Sequence, residues 1–220
     1  MKPKFVPLNE SLYRYVCQQR SHPDDPVLEA LREETGRMGE DAFMQIGADQ
    51  GGFLTLLTAA IGARRALEIG TFTGYSSICI ARGLPADGRL LCLDLSAEWT
   101  AVARRYWERA GVADRIELRL GPALDSLARL EPEWTFDLVF IDAHKLEYAA
   151  YYEQVLPRVR PNGLILFDNM LREGRLARET LDDEGDRAID RLNRQLAQDP
   201  RVETVLLTVA DGIQVCRKRG

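Results

Sequence analysis

Two apolar runs in this chain stop on acids. The stretch 136-FDLVFIDAHK-145 ends on Asp142, with His144 and Lys145 close behind, and 163-GLILFDNM-170 ends on Asp168 followed by Asn169. A lone aspartate at a strand end can be a simple turn or helix cap, because its carboxylate accepts backbone N–H groups. Two such ends, the second with an amide beside it, supply three oxygen donors. That is the hard-ligand set Mg²⁺, Mn²⁺ or Ca²⁺ prefers, and coordination positions left open on such an ion admit two vicinal oxygens of a substrate.

A second constellation lies earlier, in 66-ALEIGTFTGYSS-77, which reads as a buried strand, a glycine-bearing loop and a helix start. Gly70 and Gly74 permit the torsions and close ligand approach of a tight strand-to-helix turn. The loop lacks the GxGxxG spacing that seats a pyrophosphate and the GK[ST] of a P-loop, which favours a nucleoside without phosphates. Glu68, inside the apolar strand, must be paired or must serve a polar ligand, and an ammonium group would suit it. Asp94 closes the next strand in 90-LLCLDL-95, where α/β folds commonly place an acid that accepts ribose hydroxyls; capping is the plainer alternative.

These residues need a frame that brings strand ends together. Amphipathic helices are expected over 7–19 and 26–38, the second opened by Asp25 and Pro26. From residue 50 the pattern alternates: helix 50–62, strand 65–70, helix 74–83, strand 89–94, helix 97–110, strand 115–120, helix 123–130, strand 136–141, helix 146–158 and strand 163–168. Repeated βα units mean a parallel sheet covered on both faces. A helix over 184–198 then leads into 202-VETVLLTVADGIQVCRK-218, where Ala210-Asp211-Gly212 joins two β-rich runs as a hairpin. The expectation is an α/β, Rossmann-like fold with a seven-stranded, mostly parallel sheet ending in an antiparallel hairpin. One domain spans 1–220, with N-terminal helices and a ligand-facing loop over 1–48 and the core over 49–220.

Bulk properties exclude several classes. The 220 residues are 45% hydrophobic, enough for a real core, and the net charge of -5 argues against general binding to nucleic acid or anionic membranes. No run approaches the roughly 18 apolar residues of a membrane span, and the N-terminus has no apolar signal core. Four scattered cysteines, without CxxC spacing, read as thiols of a reducing compartment, so the cytoplasm is expected.

Taken together, EIGTFTGYS, the acid in LCLDLS, LGPAL, IDAHK, FDN and the terminal ADGIQVCRK resemble the cation-dependent O-methyltransferases related to the caffeoyl-CoA and catechol enzymes, over about residues 8–218. The resemblance implies S-adenosylmethionine bound across the carboxyl ends of the strands. Glu68 and the Gly70–Thr71 loop would lie along its methionine part and ribose, Ser76 near its carboxylate, Asp94 on the ribose hydroxyls and Ala123 beside the adenine. Met44 and Ile46 match positions that pack on this cofactor. Asp142, Asp168 and Asn169 would hold the cation, Mg²⁺ before Mn²⁺ or Ca²⁺, and Lys145 matches the family's catalytic lysine, which removes a phenolic proton. The acceptor would be an aromatic diol of catechol, caffeoyl or flavonoid type, and the enzyme a homodimer.

The chain also departs from that pattern. His144 stands where plant relatives have Asp and catechol methyltransferases have Trp, Gly52 replaces a glutamine, and Arg172 occupies the place of a tryptophan that walls the acceptor pocket. If 171–180 is helical, Arg172, Arg175 and Arg178 share a face, either solvated or reaching an acidic acceptor. An NAD(P)-dependent oxidoreductase, with Asp94 on an adenosine ribose, and a non-catalytic binding protein on the same fold are the rival readings.

Overall fold

Side chains that accept the first free amides start several of the helices in the computed structural model, which describes residues 4–220 and so leaves residues 1–3 of the N-terminal segment outside it. Asn9 caps α1 (Glu10–Gln18), Asp25 caps α2 (Pro26–Gly36) with Pro26 in its first turn, and Ser96 caps α5 (Ala97–Arg109). Asp183 does the same for α8 (Glu184–Gln198). Between α2 and α3 (Ala48–Ala60) runs a 3₁₀ turn, Gly39–Met44, which the sequence pattern did not signal.

The remaining elements are β1 (Arg65–Ile69), α4 (Tyr75–Gly83), β2 (Arg89–Asp94), β3 (Ile116–Leu120), α6 (Ala123–Ala128), β4 (Phe136–Ile141), α7 (Tyr148–Val155), β5 (Val159–Phe167), β6 (Val202–Leu207) and β7 (Ile213–Lys218). They form a seven-stranded sheet in the order β3-β2-β1-β4-β5-β7-β6. The first five strands of that order run parallel; β7 is antiparallel to both β5 and β6 and lies between them. The mostly parallel sheet with an antiparallel end matches the expectation, although the last strand of the chain proves to be interior.

Alternation along β1 divides the core. Ala66 joins the cluster under α2–α5, while Leu67 and Ile69 join the cluster under α6–α8. Glu68 therefore shares the face of Ala66, where a residue of its period belongs. Strand order reverses between β1 and β4, which makes their carboxyl ends the switch point where open α/β sheets take ligands. The strands are stitched together just past their ends: the Gly70 amide donates to Leu93 O at 2.9 Å, Asp142 to Ile69 O at 2.8 Å and Asp168 to Ile141 O at 3.0 Å.

Three segments differ from expectation. The single helix over 146–158 is a 3₁₀ turn at Lys145–Glu147, then α7, then a 3₁₀ turn at Leu156–Arg158. Pro157 lacks an N–H and crowds the carbonyl four residues back, so an α-helix cannot run through it. The stretch 171–180 is not a regular helix: Arg172, Glu173 and Gly174 have φ of 52°, 56° and 77°, so the three arginines do not share a helical face. Strand β5 also starts earlier than 163, at Val159, with a register shift against β4 across Pro161-Asn162-Gly163.

Candidate active site

A cleft of about 940 Å³ opens at the switch point, a size usual for small-molecule sites. On its β1–β2 side the lining includes Met44, Ile46, Gly70, Thr71, Ser76, Asp94 and Ala123. On its β4–β5 side it includes Asp142, His144, Lys145, Asn169 and Arg172. Glu68 and Asp168 are not in the lining; they are 0% and 4% exposed and sit behind it.

Gly70 is required by contact, not only by its φ of +89°. A Cβ there would stand 1.9 Å from the Asp142 carbonyl oxygen, so no side chain fits between the ends of β1 and β4. The loop that follows is fastened by Asp94. Its Oδ2 accepts from the Thr71 and Phe72 amides at 2.8 and 2.9 Å, and its Oδ1 accepts from the Ser96 amide at 2.8 Å. Asp94 is thus both cap and cleft residue: Oδ2 is filled by two amides, while Oδ1, with one, keeps room for a further donor. Phe72 and Trp99, which sequence reasoning missed, meet edge to face at 5.0 Å in the same wall. Trp99 was findable as an aromatic in the first turn after Asp94; nothing in the sequence marked Phe72.

Behind this wall Glu68 is poorly satisfied. Its Oε2 accepts from the Cys92 thiol at 3.4 Å, while Oε1 and the neighbouring Thr71 hydroxyl are buried without a hydrogen-bond partner. Burial pushes the Glu68 carboxyl up to about 7, against the opposing influence of the Ser76 and Thr71 hydroxyls. An incompletely satisfied buried acid gains from a cationic ligand group nearby.

Across the switch point the charges are denser. Lys145 Nζ donates to Asp142 Oδ1 at 2.9 Å and to Tyr148 Oη at 2.7 Å, and the Tyr148 hydroxyl donates to Asp168 O at 3.3 Å. Asp168 accepts from the Asn169 amide at 2.7 Å. Burial, then the charge of Asp142, raises its carboxyl to about 7, opposed by the Gln50 side chain and Lys145. Gln50, itself buried, was overlooked in 49-DQGGFL-54, and its Nε2 meets no partner at hydrogen-bonding geometry. By contrast Gly52, the departure noted there, lies on α3 outside the lining, with an added Cβ 3.8 Å from Arg20. Asn169 has a φ of +57°, an uncommon left-handed backbone that asparagine tolerates better than most residues.

Among the described residues no three His, Cys, Asp or Glu side chains gather where they could hold an ion. The donor set is two carboxylates and an amide. Two acids on adjacent strand ends, one of them buried and raised by the other, fit a hard divalent cation, which would relieve their mutual repulsion.

Arg172 lines the cleft, but its guanidinium is engaged: Nε donates to Asp186 Oδ1 at 2.7 Å, and Arg175 Nε donates to Asp186 Oδ2 at 2.7 Å. The Arg175 and Arg172 guanidiniums hold the Asp186 carboxyl down at about 2. Arg178 is exposed.

This sheet order, with a glycine loop after β1 that lacks the pyrophosphate-binding spacing, an acid at the end of β2 and a cleft at the switch point, is the Rossmann-like architecture of the methyltransferases. The O-methyltransferase family model matches residues 18–219. The chain is 37% identical to tricin synthase 1 of Oryza sativa subsp. japonica, over 96% of its own length and 88% of the relative's. It is 36% identical to caffeoyl-CoA O-methyltransferase of Eucalyptus gunnii, with the same coverages. It superimposes with a TM-score of 0.87 on the Bacillus cereus O-methyltransferase solved in complex with SAH, at 37% identity, covering 95% of this chain and 97% of that one. The chain belongs to the O-methyltransferase family and is an S-adenosylmethionine-dependent enzyme of that class, which sets aside the oxidoreductase and non-catalytic readings. No described helix is long and apolar enough to cross a membrane.

Proposed function

We propose that the enzyme methylates one hydroxyl of a vicinal-dihydroxy aromatic, of catechol, caffeoyl or flavonoid type, with a divalent cation, Mg²⁺ first, held by Asp142, Asp168 and Asn169. The observation that carries this reading is the oxygen set at the ends of β4 and β5 with the Lys145 amine 2.9 Å from one of its members. When bound, the cation would supply Lewis-acid polarisation of the diol oxygens. S-adenosylmethionine supplies the methyl group from its sulfonium.

The residues of the chain divide the remaining work. Lys145 takes the proton of the attacking hydroxyl as general base. Glu68, through its unsatisfied Oε1, favours the cofactor's ammonium end, while Asp94 accepts from the ribose and the Phe72–Trp99 wall shields the adenosine side. Holding both reactants across one switch point converts an encounter into an aligned transfer, which supplies much of the acceleration. His144 and Arg172 border the acceptor end. The names of the relatives support a phenolic acceptor. Buried free thiols at Cys79, Cys92 and Cys216 support a reducing compartment, and we place the enzyme in the cytoplasm as a homodimer.

The test is a methyl-transfer screen of catechol, caffeate and its CoA ester, and dihydroxylated flavonoids with Mg²⁺, Mn²⁺ or Ca²⁺. Methylation of diols, with none of the matched monophenols, is expected. Equal turnover of monophenols and diols would remove the chelation reading.

A further inference from the structure

Lys145 is held at two points, and only one of them belongs to the oxygen set already described. The other is Tyr148, one helical turn on, whose hydroxyl receives the lysine amine at 2.7 Å while the amine also lies 4.8 Å from the centre of its ring. Tyr148 is 1% exposed and does not line the cleft, so it cannot touch an acceptor there. We propose that Tyr148 is a positioning residue for the general base: its hydroxyl and the Asp142 carboxylate take two of the three hydrogen-bonding directions of the Lys145 amine and leave the third facing the cleft. The inference rests on Lys145 acting as the base.

Hydrogen-bond inventory fixes the direction of each contact. An ammonium has three donors and no acceptor, so the phenol must accept from it. The single phenolic proton is then free for the Asp168 carbonyl, the acceptor found at 3.3 Å. The ring cannot turn away, because Phe167 and Tyr151 pack on it at centroid distances of 5.8 and 6.4 Å. A neutral amine carries two N–H groups and one lone pair. With both N–H groups directed at Asp142 and Tyr148, the lone pair is left in the remaining tetrahedral position, and Lys145 itself lines the cleft. Without Tyr148 a long, flexible side chain would keep one anchor and sample many directions, and a base contributes only when it is within reach of its proton.

The experiment is a cycle in the full-length enzyme with its cation. Tyr148→Phe keeps the ring and removes the hydroxyl. Expected is a fall in kcat of about 10- to 100-fold, a part of what a general base contributes. KM for the acceptor, the cation activation constant and the calorimetric affinity for SAH should stay within about twofold. In the Lys145→Ala background the same change should alter the residual rate by less than about twofold, because the group it positions is gone. An equal loss in both backgrounds would overturn the proposal, as would a cation constant that rises in step with the lost activity, which would place the hydroxyl's effect on Asp168. Should Tyr148→Phe prove unstable, 3-fluorotyrosine at 148 retains packing and hydroxyl but weakens the acceptor; an intermediate kcat supports the proposal and an unchanged one overturns it. Full activity in Lys145→Ala would instead remove the base reading itself, whereas an inactive Lys145→Ala with an unimpaired Tyr148→Phe removes only the role of Tyr148.

Discussion

The two halves of the cleft are built from different materials. On the β1–β2 side the main chain does the holding: Gly70 admits the Asp142 carbonyl, Gly74 sits 2.7 Å by its absent Cβ from Ala103, and Asp94 collects the amides of Thr71, Phe72 and Ser96. On the β4–β5 side side chains hold one another, through Asp142–Lys145–Tyr148 and Arg172–Asp186–Arg175. Backbone-built walls cannot be altered without moving strands, whereas a side-chain wall can be changed residue by residue with the main chain in place, at the cost of any buried partner left unpaired. On the proposed reading, the cofactor half is set by the fold and the acceptor half by side chains that hold one another.

The sharpest division of the halves is by activity. Asp168→Ala should lower methyl transfer by on the order of 10³-fold, about 4 kcal/mol at roughly 1.4 kcal/mol per tenfold, while SAH affinity measured by calorimetry stays within about threefold. EDTA should abolish turnover and a divalent cation restore it. Full activity in enzyme shown by elemental analysis to be metal-free would dissolve the distinction between the halves.

Stability tests the backbone-built side against a helix glycine outside the cleft. Gly70→Ala places a methyl 1.9 Å from the Asp142 carbonyl at a φ of +89°. Overpacking and left-handed strain together should cost roughly 3 kcal/mol, lowering Tm by about 6–12 °C in calorimetry. Gly52→Ala, with 3.8 Å of clearance to Arg20 inside α3, should raise stability by about 0.5–1 kcal/mol. Equal effects at the two positions would contradict the backbone-built account of the β1 loop.

Glu68 is the buried acid of the cofactor half, and it gives a pH dependence. Burial raises its folded-state value from 4.5 to about 7, so between those values the ligand-free folded enzyme keeps a proton that the unfolded chain has released. The stability this group contributes is full below about 4.5 and is lost as pH rises through 7. Binding an ammonium group needs the carboxylate, so SAH affinity should run in the opposite sense, weakening by up to about tenfold per pH unit below 7. Titrations in buffers of different ionisation enthalpy should register proton release near pH 6 that vanishes in Glu68→Gln. The same Kd at pH 5.5 and 7.5 would break the link between Glu68 and the cofactor.

The smallest effect is expected at Arg172. Its guanidinium is already paired with Asp186, so Arg172→Ala should change KM for caffeate and for neutral catechol alike, by about threefold or less. A rise confined to caffeate would show that the arginine reaches an acidic acceptor in spite of that pair.

Much of this frame was legible beforehand because its signals are local. Strand ends at Asp94 and near Asp142 and Asp168 follow from apolar runs that stop on acids, and the Asp25-Pro26 and Asp211-Gly212 signals marked a helix start and a hairpin. Pro157 could have warned that the helix over 146–158 would break. The left-handed run Arg172-Glu173 had no such warning, since neither residue favours that conformation and it is held by distant groups, Asp186 and the Asp211 carboxylate. Gln50 and Tyr148 looked like ordinary helix residues, though Tyr148 stands three positions from Lys145, a spacing that puts two side chains on one face.

By itself the sequence determined which residues end strands, which glycines must turn, and that oxygen donors and a lysine stand at or just past two strand ends, because periods of 2 and 3.6 and the chemistry of turns act over a few residues. Only the tertiary structure decided how each polar group is spent. It tied Asp94 to three amides, sank Glu68 behind the wall, bound Arg172 to Asp186 and set Lys145 between Asp142 and Tyr148. Such pairings depend on strand order and on which helix covers which face, and a buried or cleft-side polar group takes whichever partner that packing brings within about 3 Å.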